Sequence, residues 1–398
     1  MVDAPAIPAF LRRAGEFGPD PETAALRERA GIGRVGTPFG YDAWLVTRHA
    51  DARQVLADTR RFSVAVSGDR SDPAAHDGMT ADDIARERAG NLMAHDPPEH
   101  TRLRRVLMAA FTHRRVRQLE PWIGRVVADR LDEMERLGPV QDLVQAFALP
   151  VPLLVICELL GVPYEDRDAF RHTAVRPLDL TLPPHERTAA FREIRAYMAA
   201  LAVRARHEPG EGLLGTLAPV LTTDELTGIA HLLLVAGHES TATMLALGTL
   251  ALLRHPDQLR IVRDRPEHVD AAIEELLRWL SILNTTSPRI ATERVEIAGQ
   301  RIEAGDMVLV SVPVANRDPV LLADPEALDV TRGATGHLAF GHGAHHCLGA
   351  PLARAELRIA LPALLRRFPG LRLADPPAAV EPGAPAIVHR LARLPVSW

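Results

Sequence analysis

Apolar residues recur at three- and four-residue intervals along most of the chain. This spacing predicts helices over Ala50–Phe62, His100–Phe111, Arg117–Leu137, Thr223–His255, His268–Leu280 and Pro351–Phe368. The long central one opens on Thr222-Thr223-Asp224-Glu225, a capping-box pattern in which threonine and glutamate satisfy each other's backbone N–H groups. Strands are few. The best candidates are Tyr41–Arg48 and the pair Val295–Gly299 and Asp306–Val312, which a glycine-containing turn region would join. Three stretches follow neither period: about 65–93, about 172–188, and Ser281–Pro288. Irregular stretches inside a helical domain are often where function sits. With no repeat, low-complexity tract or linker between them, these elements predict a mainly α fold with a small β region, one domain over residues 1–398.

Composition narrows the classes. All 46 basic residues are arginine, so the lysine of a phosphate-binding P-loop and the amine of a Schiff-base enzyme are both excluded. A net charge of −5 gives no support for nucleic-acid binding. The apolar run Leu149–Val162 is too short to span a bilayer, and Gly228–Leu253 is interrupted by His231, His238 and Glu239, so no membrane anchor is expected. Nothing at the N-terminus reads as a signal peptide. Two cysteines in 398 residues form no disulfide framework, which points to a reducing cytoplasm.

The two cysteines differ in their company. Cys157, within Leu153–Gly161, sits among aliphatic residues and reads as core packing. Cys347 lies in FGHGAHHCLG, Phe340–Gly349, among histidines and glycines. A zinc site would want several converging ligands, but His345, His346 and Cys347 are consecutive and converge poorly. A nucleophilic thiol would want a distant histidine as base, which spacing alone leaves open. A haem thiolate needs one cysteine as its sole protein ligand. The glycines would let backbone lie close to a flat group. Pro351 suits the first turn of a helix whose N–H groups would stabilise a negative sulfur. The surroundings favour the haem thiolate.

FGHGAHHCLGAPLAR resembles the haem-binding signature of the cytochrome P-450 superfamily, with the fixed positions of the pattern at Phe340, Gly343, Cys347 and Gly349. Further motifs in the expected order extend the resemblance from about Tyr41 to the C-terminus. It implies the cytochrome P-450 fold, with haem b between the long central helix and the helix after the cysteine loop. It also implies a soluble haem-thiolate monooxygenase that uses O2, Cys347 being the axial ligand to iron. Phe340, Gly341 and Gly349 would then border the haem on the cysteine side, and Ala236 and Gly237 on the oxygen side. Glu239 and Ser240, followed by Thr241, match the acid–alcohol pair that relays protons; serine stands where the family more commonly has threonine. His100, Arg104, Arg289 and His345 match the positions that hold the haem propionates. Glu275 and Arg278, with Arg332, match the family's buried support beneath the haem, although Leu328 replaces an aromatic residue frequent in that segment.

By the same resemblance the three irregular stretches border the substrate pocket, so Asn284, Thr285 and Thr286 would face a substrate with oxygen functions. The continuation GAPLAR looks most like bacterial members that tailor secondary metabolites such as polyketides and macrolides. Without a flavin or iron–sulfur motif, electrons from NAD(P)H would arrive through a ferredoxin and its reductase. Arg102, Arg105, Arg114, Arg115, Arg354 and Arg358 could form a docking face for that acidic partner. Two other classes remain as alternatives: a cysteine- or zinc-dependent hydrolase using Cys347, and a non-catalytic haem sensor. The Glu239/Ser240 pair argues against a sensor, because ligand binding alone needs no proton relay. A peroxide-driven variant would carry a distal arginine, and AGHEST, Ala236–Thr241, has none.

Overall fold

The computed structural model describes residues 7–37, 40–65, 80–166, 184–374, 380–383 and 386–398. Much of the irregular stretches near 65–93 and 172–188 lies outside the described residues. The described part of the first contains a helix, Ala81–Arg88, with its own capping box from Thr80 and Asp83.

The expected central helix runs unbroken from Thr223 to Arg254, and Thr222 and Glu225 form the box that starts it. Its buried positions point in every direction, as in a helix enclosed by others. Pro150–Leu160, Pro184–His207 and Ala350–Arg367 pack on it, and His113–Leu137 packs on the outer face of Ala350–Arg367. The neutral His238 imidazole, its pKa pushed down to about 4 by burial, hydrogen-bonds the Leu149 carbonyl at 3.1 Å. That bond ties the central helix to the junction between a π-helical turn, Val144–Ala148, and the helix Pro150–Leu160. Cys157 is fully buried in this helical core, as expected.

The helix expected over Ala50–Phe62 spans His49–Ala57 instead, and Phe62–Ser63 is an edge strand. The five-stranded sheet runs Ile32–Gly36, Asp42–Val46, Met307–Val310, Arg289–Ala291, Phe62–Ser63. Met307–Val310 lies parallel to Asp42–Val46, with Val308 opposite Trp44. The expected pairing of Val295–Gly299 with Asp306–Val312 does not occur. Val295–Ile297 pairs with Gln300–Ile302 across a tight turn at Ala298 and Gly299, both with positive φ. Local turn chemistry takes the nearer partner. Met307–Val310, buried at every position, goes to the middle of the larger sheet. A second apolar core forms on this sheet, including Ile32, Phe62, Val308 and Val310.

Ser281–Pro288 links the two cores, and both ends of the described chain grip it. Arg13 donates to the Leu280 and Ser281 carbonyls at 3.3 and 2.7 Å, and the Asn284 amide donates to Leu11 and Ala386 carbonyls at 3.4 and 2.7 Å. The Asn284 N–H donates to Ile387 and the His389 N–H to Ile282, each at 2.7 Å.

Glu275 and Arg278, expected as a support, are fully buried and joined by two parallel hydrogen bonds of 2.7 and 2.8 Å. Arg278 also donates to the carbonyls of Asn316, Pro325 and Ala327, and Glu275 accepts from the Asp329 N–H. Arg332 stands 3.7 Å from Glu275. A charge pair buried to this degree is tolerated because nearly every donor and acceptor is matched. Glu275→Gln keeps the shape but leaves Arg278 a buried charge without its counter-ion. It is expected to cost roughly 3–5 kcal/mol in urea unfolding, whereas an exposed pair such as Arg136–Glu133 should cost under about 1 kcal/mol when broken.

Candidate functional site

Between the two cores lies a cavity of about 440 Å³. Its walls come from the central helix, the segment Phe340–Gly349, and parts of Glu99–Met108, Ile282–Arg289 and Val388. Ala236, Gly237, Glu239, Ser240 and Thr241 stand on one side, with Phe340, Gly341, His345, Cys347 and Gly349 on another.

The loop that carries Cys347 is fixed by its backbone. The Cys347 N–H donates to Phe340 at 2.8 Å, the Gly341 N–H to Leu338, and the Leu338 N–H to the buried Asn316 side chain. At Gly343, φ is +74° and a Cβ would lie 2.6 Å from the Leu56 carbonyl oxygen, so only glycine lets the loop rest on the helix His49–Ala57. The helix Ala350–Arg367 then starts with Gly349 as its N-cap and Pro351 in its first turn. The Gly349 and Ala350 N–H groups point at the sulfur. Burial pushes the Cys347 thiol up, while those two amides and the Arg104 and Arg354 guanidiniums pull it down. The groups that act most strongly on the thiol are amides and guanidiniums, which favour a thiolate but are not the base that a nucleophilic thiol would need. Nor, among the described residues, do three His, Cys, Asp or Glu side chains converge as metal ligands.

On the rim, His100 and His345 stack with ring centroids 4.1 Å apart, close to Arg104 and Arg289. Burial and the neighbouring cations push His345 down to about 3, and burial holds Arg289 near 10. The nearby carboxylate, Asp96, is committed to Ser63 and to the Val64 and Ala65 N–H groups. Both ring nitrogens of His100, His345 Nε2, and Arg289 Nε and Nη1 are buried without a partner. These five nitrogens, at least three of them N–H donors, stand with the guanidiniums of Arg104 and Arg289 and suit an anion with several oxygens. The two propionates of haem supply one, so the residues present fit that group. A thiol approached by amide N–H groups lies across the same cavity.

The alcohol and acid on the central helix are held differently. Ser240 donates to the Ala236 carbonyl one turn back at 2.6 Å. Glu239 is paired with Arg390, Nη1 to Oε1 at 2.9 Å. Burial raises the Glu239 pKa and Arg390 opposes that rise without cancelling it. Thr286 and Ser287 face the cavity. Asn284 and Thr285, expected beside them, do not. Asn284 is buried in its bonds to Leu11 and Ala386, and Thr285 forms an isolated bridge with Ser311.

Several arginines of the expected docking face are also otherwise engaged. Arg354 makes a double hydrogen bond to Glu274, at 2.6 and 2.8 Å, and lies over the Phe340 ring. Arg358 pairs with Glu120 and Asp270, and Arg102 with Glu99 and Glu225. Arg115 bonds Gln118 and the Glu211 carbonyl. Arg105 and Arg114 are exposed and carry no ion pair among the described residues.

Two site residues were missed in the sequence. Arg390 lies 151 positions from Glu239, beyond the reach of any spacing rule. Glu356 had a signal: Leu352, Glu356 and Ala360 share one helical stripe, and the glutamate is its acid. It lines the cavity, its Oε2 has no partner, and burial pushes its pKa up to about 8. The unfolded chain loses this proton near the usual glutamate pKa, whereas the folded chain keeps it until about pH 8. Glu356 therefore lowers stability increasingly as pH rises between those values. Glu356→Gln is expected to match the parent's melting temperature at pH 4.5, exceed it progressively above that, and level off past about pH 8.

Residues 216–381 match the family model described as Cytochrome P-450. The chain is 46% identical over 402 residues to cytochrome P-450 FAS1 of Rhodococcoides fascians, covering all of both chains. It is 40% identical over 396 residues to the mycinamicin IV hydroxylase/epoxidase of Micromonospora griseorubida, covering 98% of this chain and 96% of that one. Among solved structures, a P-450 from the biosynthesis of a glycopeptide antibiotic is 44% identical and superposes with a TM-score of 0.88, over 99% of this chain and 100% of the other.

Proposed function

This chain belongs to the cytochrome P-450 family and is a haem-thiolate monooxygenase; from that premise we propose that it tailors a secondary metabolite, with the whole chain acting as one haem-binding domain. The observation that carries this reading to particular residues is the pairing, in one cavity, of the Cys347 sulfur with the unpartnered donors of His100, His345 and Arg289. The metabolite class is supported by similarity along the whole chain to an enzyme named for mycinamicin and to one from glycopeptide antibiotic biosynthesis.

When bound, haem supplies the activation of O2 and the transfer of one oxygen atom to substrate. The protein's residues do the rest. Cys347 would hold the haem iron through its sulfur and supply electron density to it, and the Gly349 and Ala350 amides would set how much. His100, His345, Arg104 and Arg289 would hold the propionates. Ala236 and Gly237 leave room on the oxygen side of the cavity. Glu239 brings protons from outside the cavity, and Ser240, with Thr241 beside it, passes them inward by its hydroxyl. Thr286 and Ser287 are the hydroxyls available to orient a substrate against a largely apolar wall that includes Val64, Leu92 and Leu283. Glu275, Arg278 and Arg332 fix the scaffold beneath the loop.

Redox partners deliver the electrons, and we assign that role to an acidic ferredoxin docking near Arg105 and Arg114. No helix among the described residues is long and apolar enough to cross a membrane. Operation in the cytoplasm, where thiols stay reduced, suits Cys347.

The reduced, carbon monoxide-treated protein is expected to show the long-wavelength Soret band of a thiolate-ligated haem, and Cys347→Ser to lose it while still binding haem through the propionate donors. Retention of that band in Cys347→Ser would overturn the assignment. The serine at position 240 generates a further expectation. Its hydroxyl rotates more freely than that of threonine, whose branched Cβ restricts χ1. Ser240→Thr is expected to release less hydrogen peroxide per O2 consumed, and equal release would show that hydroxyl freedom is not limiting.

A further inference from the structure

We propose that Arg390 is the positioning residue that governs Glu239: its guanidinium pairs with the carboxylate against the cavity wall and so sets when that group can carry a proton inward. The proposal rests on the proton-carrying reading of Glu239 given above.

Among the described residues the Glu239 carboxylate bonds Arg390 alone, at 2.9 Å, and both side chains are mostly shielded, 20% and 15% exposed. The neighbouring titratable groups are directed elsewhere. His238, on the same helix, bonds the Leu149 carbonyl, and His389, on the same segment as Arg390, bonds the Glu16 carbonyl. Ser240 turns its hydroxyl to Ala236. Arg390 is thus the one described charge that lowers the Glu239 pKa against the effect of burial.

The arginine is itself held in place. The Gly383 N–H donates to the Arg390 carbonyl at 2.8 Å, and a Cβ on Gly383 would sit 2.6 Å from Arg390 Cγ and 3.2 Å from its Nε. The bare glycine is what lets the arginine stem cross toward Glu239. Two residues earlier, Val388 lines the cavity and bridges Leu283. Positions 388 and 390 of an extended segment point the same way. An occupant that presses on Val388 therefore acts on the backbone that aims Arg390.

The proton bookkeeping is simple. An ionised Glu239 must first take a proton from water outside the cavity, then give it to the Ser240 hydroxyl or a cavity water, and it ends as the carboxylate again. The ion pair opposes the first transfer, and loosening it promotes that transfer. Arginine stays charged throughout, so the gate is one of distance rather than titration.

The test uses the haem-loaded protein with Arg390→Gln, Arg390→Lys and Gly383→Ala, and Glu239→Gln as reference. In infrared difference spectra of the resting protein, taken with Glu356→Gln throughout so that its protonated carboxyl does not contribute, Arg390→Gln is expected to keep a carboxylic-acid band to a pH about one unit or more higher than the parent does. Adding Glu239→Gln should remove that band, and Arg390→Lys should return it to the parent pH. The high-pH limb of kcat should move in the same direction. Gly383→Ala, with every charge retained, should give a smaller shift of the same sign. An unmoved band and limb in Arg390→Gln, in a protein that melts like the parent, would overturn the proposal and leave Arg390 a packing residue. A Glu239→Gln variant with unchanged kcat and pH profile would instead sink the proton-carrying reading, even with the infrared shift intact.

Discussion

A sulfur that has to carry negative charge lies deep in the molecule yet open to its cavity, and much of this molecule is arranged around that constraint. Burial alone would keep the Cys347 thiol protonated. What opposes burial is backbone: the amides of Gly349 and Ala350 at the start of an 18-residue helix, aided by Arg104 and Arg354. Those amides work only if the loop before them cannot move. The bonds from Cys347 to Phe340 and from Leu338 to Asn316, and the seat of Gly343 on Leu56, provide that rigidity. The double hydrogen bond of Arg354 to Glu274 fixes the helix from outside and covers Phe340 with a cation.

The same chemistry separates structural arginines from functional ones. With no lysine in the chain, every long cationic side chain is a guanidinium that stays charged when buried. Arg278 meets this by matching its charge to Glu275 and its remaining donors to three carbonyls. Arg289 is nearly as deeply buried, yet two of its nitrogens and three histidine nitrogens beside it have nothing to bond. Five polar nitrogens left without a partner in one place, beside two guanidiniums, are the setting in which an anion binds.

The cysteine loop, the central helix and its capping box, and the Glu275/Arg278 support were legible because each is a short-range pattern. The motif occupies ten residues and the ion pair one helical turn. What escaped was what only tertiary contact decides. Strand Met307–Val310 reads as a hairpin partner of Val295–Gly299, but its neighbours are Asp42–Val46, more than 250 residues earlier, and Arg289–Ala291. Asn284 looks like a pocket residue by its polarity and place, yet it spends its amide on the carbonyls of Leu11 and Ala386. The arginines Arg354 and Arg358 read as a surface patch until Glu274, Glu120 and Asp270, from other helices, neutralise them. Glu356 is the exception. Its stripe was visible, and a lone acid on an apolar face could have been flagged from the pattern alone.

The double grip on Ser281–Pro288 has a consequence for the order of assembly. Asn284 meets a carbonyl 273 positions away on one side and one 102 positions away on the other. Contacts of such separation carry the largest loop-closure entropy and are favourable only after the intervening chain has condensed. They form a hoop, closed from both ends of the described chain, around one flank of the cavity. A hoop that shuts late makes that flank of the cavity one of the last parts of the fold to be completed.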